Sequence, residues 1–199
     1  MKKLLLSALA VCAFTFANAQ EEKTEAPYLS KGDIMISGSF GLGSDKYSSK
    51  GNFQENDFNF NPRASYFVSD NIAVGITAGY ASGKIEVNEG DDTADTNTVT
   101  VGAMGRYLFT PTSKFSLFAE LGAEYATKSM PSDDKVNGFG LGLSPGICYF
   151  ISNNFAIEAS WGLLGYGSAK GDWDGAEAST SVDFGLDTND LSLGLAYKF

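Results

Sequence analysis

The chain has 199 residues, with 14 Lys and Arg against 24 Asp and Glu, 23 Gly, 15 Phe, 9 Tyr and no His. A formal charge of −10 with scattered cations offers no footprint for a phosphate backbone, so nucleic acid is not an expected partner. The absence of His removes the Ser-His-Asp triad, the Cys-His pair and His-ligated zinc; no catalytic, cofactor or metal residue is assigned.

The first 19 residues fall into three zones: Lys2 and Lys3, the apolar run Leu4 to Phe16, and Ala17-Asn18-Ala19 before Gln20. That is the pattern of a secretory signal peptide, and the run is shorter than the roughly 20 apolar residues of a spanning helix. A lipoprotein reading of Cys12 fails on Val11, which is bulky where such a site takes a small residue. Loss of residues 1–19 removes Lys2 and Lys3 and no acid, leaving 12 basic against 24 acidic groups, a net −12. Cys148 is then the only cysteine, so no intramolecular disulfide is expected. Residues 20–31, with Glu21, Glu22 and Glu25 around Pro27, read as a polar lead-in to one domain over 32–199.

From Ile34 onward the pattern has period two. Strand one sets Ile34, Ile36, Phe40 and Leu42 against Met35, Ser37, Ser39 and Gly41; strand two sets Phe58, Phe60, Ala64 and Tyr66 against Asn59, Asn61, Arg63 and Ser65. Strand three sets Ile72, Val74, Ile76 and Tyr80 against Ala73, Gly75, Thr77 and Gly79; strand four sets Val99, Val101 and Tyr107 against Thr98, Thr100 and Arg106. In strand five Phe115, Leu117, Leu121 and Tyr125 oppose Ser116, Glu120, Gly122 and Glu124. Phe139, Leu141, Leu143, Ile147 and Tyr149 oppose five small residues in strand six. Strand seven sets Phe155, Ile157, Trp161 and Leu163 against Ala156, Glu158, Ser160 and Gly162, and strand eight closes the chain from Leu191 to Phe199. Three short connectors, Ser69 to Asn71, Thr110 to Lys114 and Ser152 to Asn154, carry hairpin-turn residues. The long connectors are expected at about 44–56, 82–97, 127–136 and 165–190. The stretch Tyr66 to Val74 recurs as Tyr149 to Ile157 and more loosely from Tyr107, one hairpin and one long loop per period.

An eight-stranded closed sheet has an interior just wide enough to be filled by side chains, so the small-residue face points inward. The bulky face then points outward, and lipid is the solvent that suits it. Strand five, from Phe115 to Tyr125, makes ten steps of ~3.3 Å, which at a tilt near 40° covers roughly 25 Å, the height of an apolar band. Aromatics mark both ends of it. The predicted fold is all-β: an eight-stranded antiparallel up-and-down transmembrane β-barrel with short periplasmic turns and long extracellular loops. On these features the chain resembles the small eight-stranded outer-membrane β-barrels, the family of the membrane domain of outer-membrane protein A and of outer-membrane protein X, over about residues 32–199. Leu191, Leu193, Leu195, Tyr197 and Phe199 resemble that family's terminal signal for the barrel-assembly machinery. The resemblance implies a monomer in an outer membrane with lipopolysaccharide as its lipid partner. One departure is Leu186 to Leu191, where alternation breaks and a bulge or a late strand start is expected.

Arg63, Arg106, Glu120, Glu124 and Glu158 fall on inward faces, where charges must be paired. Two readings follow: an ion-pair plug, aided by Met35, Met104, Phe118 and Phe150, or a narrow pore for solutes or hydrophobic molecules lined by the same charges. Barrel enzymes of this size resemble families that rely on a catalytic His, which this chain lacks, so no enzymatic activity is expected. The acidic loop Glu86 to Asp95 and Asp172-Trp173-Asp174 read as solvated loop charge rather than a dedicated metal site, with an unidentified loop ligand left open. Cys148 reads as a small lumen-filling residue.

Overall fold

The computed structural model describes residues 28–47, 53–87, 92–132, 134–185 and 191–199; the expected signal peptide and residues 20–27 lie outside them. Ten strand segments follow in order: β1 (Ile34–Tyr47), β2 (Phe53–Phe67), β3 (Ile72–Val87), β4 (Asp92–Leu108), β5 (Phe115–Ser129), β6 (Lys135–Phe150), β7 (Phe155–Trp161), β8 (Leu164–Gly171), β9 (Ser179–Phe184) and β10 (Leu191–Lys198). β1 to β6 pair antiparallel in sequence order. β6 then pairs with β7 through Gly146–Phe150 and with β8 through Val136–Leu143. β7 pairs with β10, and β10 returns to β1. β7 with β8 form one wall strand and β9 with β10 another, so eight wall strands close a barrel.

The repeated Ser-x-Asn turns explain why the short connectors sit where they do. In the first, Ser69 Oγ accepts from the Ile72 N–H (3.1 Å) and Asn71 Nδ2 donates to the Leu108 carbonyl (2.8 Å). In the second, Ser152 Oγ accepts from the Phe155 N–H (3.1 Å) and Asn154 Nδ2 donates to the Lys198 carbonyl (2.8 Å). Each serine closes its own hairpin, while each asparagine ties the turn to a neighbouring wall strand. The Tyr that opens each repeat faces outward, and the residue after it, Phe67, Leu108 or Phe150, is buried in the lumen.

The long connectors are shorter than the sequence pattern indicated. Strands run on through Tyr47, Val87 and Ser129 and resume at Phe53, Asp92 and Lys135, so most of the expected loop residues are extended hairpin arms. The region 165–190 holds most of β8 and all of β9. Polar Thr and Ser in these arms continue the cross-strand ladder above the apolar band, which alternation of hydrophobicity alone does not reveal.

The expected seventh strand does not continue unbroken to Leu163. Between the pairs Gly146↔Ser160 and Leu143↔Leu164, β6 advances three residues while the partner wall advances four. This one-residue bulge at Gly162-Leu163 flips the alternation: Leu164 and Tyr166 face outward, and Gly165 and Gly167 face inward. Leu163, half-buried at the bulge, lines a cavity together with Leu164 and Phe184. The adjoining wall strand jumps from Phe184, opposite Leu164, to Leu191, opposite Trp161. Residues 186–190, where the alternation breaks, lie outside the described set.

Ile36, Phe40, Phe60, Ile76, Val101, Leu121 and Leu195 are exposed on the outer wall, as a lipid-facing surface requires. Phe155 and Tyr197 (5.2 Å between ring centroids) and Tyr197 and Phe199 (4.7 Å) stack edge to face at the periplasmic end.

Candidate functional site

The lumen is built in three tiers, beginning at the periplasmic mouth. Residues 28–33 form a strap across it: the Leu29 N–H donates to the Pro111 carbonyl (3.0 Å), the Lys31 N–H to Asp70 Oδ1 (2.9 Å) and the Gly32 N–H to the Phe67 carbonyl (2.9 Å). Gly32 takes φ 98°, a conformation that favours glycine, and so turns the strap into β1. Leu29 is completely enclosed in an apolar cluster with Met35, Phe67, Leu108, Cys148 and Phe150, and Tyr28 packs on Phe150 at 5.0 Å. The polar lead-in of the sequence reading therefore ends in an apolar cork. Leu29 was legible only as the one aliphatic residue between Pro27 and β1, but Phe67 and Leu108 were marked by their place in the Tyr-Phe repeat.

The second tier is a belt of charge. Phe118 carries the Arg106 guanidinium on its ring, 4.0 Å from the centroid, and Gly146 leaves room for that ring because a Cβ there would collide with Phe118 Cζ. Arg106 lies directly opposite Glu120 in the β4–β5 register. Its Nε and Nη2 donate to Glu120 Oε2 at 2.9 and 2.7 Å, and its Nη1 donates to Glu158 Oε1. Glu120 Oε1 in turn accepts from Arg63 Nη1 at 3.0 Å. Two guanidinium and two carboxylate groups thus form one neutral chain from β2 through β5 and β4 to β7. The side chains of Arg106 and Glu158 are 1% and 5% exposed, those of Arg63 and Glu120 14% each. Among the described residues no buried side-chain nitrogen or oxygen is without a partner, so the belt meets the condition under which interior charge is tolerated. Cys148 sits beside it, paired in register with Glu158 and buried.

Above the belt the lumen opens into a polar chamber of about 560 Å³, lined by hydroxyls such as Ser39, Thr77, Thr100, Ser160 and Ser192. Glu124 belongs to this chamber and accepts from Thr77 Oγ1 at 3.2 Å, outside the arginine chain. A second cavity of about 810 Å³ lies at the bulge between Gly162 and Gly185 and shares Ser144 and Gly162 with the chamber. Beside it, β1 pairs with β10 only up to Ser39, and β9 pairs only with β8 among the described residues. Asp172, at the outer end, spends Oδ1 on the Lys135 N–H at 2.7 Å.

The sequence model of the outer membrane protein beta-barrel domain matches residues 5–199. The chain belongs to that family. This outer-membrane β-barrel resembles in fold the crystal structure of outer membrane protein OprG from Pseudomonas aeruginosa, at 19% identity and TM-score 0.55, over 86% of this chain and 97% of that one. It is similar to the solution structure of E. coli Outer Membrane Protein W (16% identity, TM-score 0.50, 86% and 99% coverage). It is also similar to a major outer membrane protein from Thermus thermophilus (16%, 0.50, 84% and 99%). No curated protein matches the sequence. The barrel is located in the outer membrane with its apolar wall in lipid, and the strap and the carboxyl terminus meet at one end, where the Phe199 N–H donates to the Ile34 carbonyl (2.9 Å).

Proposed function

We propose that this barrel is a closed, non-conducting element of the outer membrane with a structural or surface-interaction role, its lumen blocked by paired charges. The observation that carries this reading is the neutral chain Arg63–Glu120–Arg106–Glu158 across the barrel interior. A water-filled pore of this width would separate such charges with solvent; here they are spent on each other above an apolar cork. The surface role falls to the hairpin arms, the part of the molecule that rises past the outer aromatic girdle and bears most of the acidic residues. On this reading the protein is a monomer without enzymatic activity. It is exported by residues 1–19, inserted through recognition of Leu191 to Phe199 by the assembly machinery, and surrounded by lipopolysaccharide in the outer leaflet. Glu124, open to the chamber, completes the charged lumen without joining the plug. The test is single-channel recording of the purified barrel in planar bilayers. Silence of the parent is expected, with leak once both the belt (Arg106 and Glu158) and the Leu29 cork beneath it are removed; steady conductance of the parent would refute the plug.

A second reading, passage of solutes or hydrophobic molecules, is favoured by one feature, the wall between β1 and β9. Above Ser39 the described strands do not pair there, and the 810 Å³ cavity shares Ser144 and Gly162 with the polar chamber. A route of this kind would leave sideways above the belt. It would show as uptake of an apolar solute into vesicles without ionic conductance.

A further inference from the structure

The periplasmic mouth is closed by the strap rather than by the wall. Its three backbone anchors lie on the β2–β3 turn, the end of β2 and the β4–β5 turn, and none of them is a rung of the barrel ladder. Residues 28–32 can therefore leave without breaking a wall hydrogen bond, while Asp33 stays with the wall, its carbonyl accepting from the Phe67 N–H at 3.0 Å. What it would uncover is apolar: Leu29 occupies the floor of the buried cluster, and directly above that cluster stand Arg106 and Glu158, an ion pair whose side chains are 1% and 5% exposed. Two barriers are thus stacked in one lumen, and they are held by different forces, the upper by charge pairing and the lower by burial of one leucine side chain.

We infer that residues 28–32 form a detachable seal, and that Leu29 rather than the ion-pair belt keeps water and periplasmic solutes out of the lower lumen. Undocking of the strap opens a blind apolar pocket to the periplasm while the belt continues to divide that pocket from the outer chamber. The hinge is Gly32, whose φ of 98° lets the strap turn under the mouth and around which a Cβ would meet nothing within 4 Å. An alanine there strains the turn without adding a clash, which separates loosening of the strap from damage to the cork.

The chain carries its own reporter. Cys148 is in the same cluster as Leu29 and fully buried. The experiment uses full-length mature protein in vesicles of known orientation and a small, charged, water-soluble methanethiosulfonate. Rates are read by mass shift, and folding is checked by heat-dependent migration on gels. In the parent, Cys148 reacts slowly from either side. Leu29→Ser and Gly32→Ala should each raise the rate roughly tenfold or more for reagent on the periplasmic side, while Leu29→Met keeps the parental rate. From the extracellular side the rate should not change. Parental rates in both folded strap variants, or a rise of equal size from the two sides, would overturn the inference. If Leu29→Ser does not insert, Gly32→Ala decides alone, since it leaves every buried side chain in place.

Discussion

Removal of Arg106 should be the most damaging single truncation in the belt, because of how the carboxylates share their cations. Glu158, 5% exposed, faces Arg106, whereas Glu120 is held by both Arg106 and Arg63. Arg106→Ala therefore strands a buried carboxylate, a loss of about 3–5 kcal/mol. Arg63→Ala leaves Glu120 with its stronger partner, so no carboxylate is stranded and the loss should be that of one charged hydrogen bond, about 1.5–3 kcal/mol at most. Glu158→Ala keeps Arg106 on Glu120 and should fall between the two. In the double variant Arg106→Ala with Glu158→Ala the stranded charge is gone, so its cost should undercut the sum of the singles by about 2 kcal/mol. The assay is reversible urea unfolding from lipid vesicles, followed by the fluorescence of Trp161 and Trp173. Equal losses for Arg63→Ala and Arg106→Ala, or strict additivity of the double variant, would refute the reasoning.

Because its outer wall is apolar, the mature chain should aggregate in plain buffer and gain its β spectrum only with detergent or lipid; circular dichroism and gel filtration check this, and a soluble folded monomer would contradict it. Deletion of Phe199 removes the edge-to-face contact with Tyr197 and the bond to the Ile34 carbonyl at the barrel's join, and should lower outer-membrane insertion with export intact, as read by cell fractionation. Gly146→Val should cost about 1–3 kcal/mol or block folding, since its Cβ would fall on the Phe118 ring; the same unfolding assay reads it, and a neutral result would mean that the ring is free to move.

The wall of this protein was legible in its sequence because lipid outside and a narrow lumen inside enforce period two so strictly that Ile36, Ile76 and Leu121 announce one face and Ser39, Thr77 and Glu120 the other. The inward parity of the charged residues was legible for the same reason, but which of them pair was not: Glu124 shares that parity and meets the Thr77 hydroxyl instead of an arginine. Three features were less accessible. The hairpin arms carry Thr and Ser in place of aliphatic residues, so their pairing is a matter of backbone ladders that hydropathy does not record. The bulge at Gly162-Leu163 depends on a one-residue difference in register between neighbouring strands, which only the paired partner, β6, reveals. The cork at Leu29 is a long-range contact from outside the repeating pattern, and periodicity says nothing of a residue that belongs to no strand.

The join between β1 and β10 has a kinetic consequence. Met35 meets Lys198 across a sequence separation that spans nearly the whole domain, and the two strands share only five register pairs among the described residues, against fourteen between β1 and β2. Loop-closure entropy makes such a contact the last to form, so a chain threaded into the membrane remains an open ribbon until its final residues are present. The ring then shuts at a ladder of five described pairs. A nascent barrel of this kind has no stable half-length form, and the step that commits it is the arrival of the carboxyl-terminal strand beside the first.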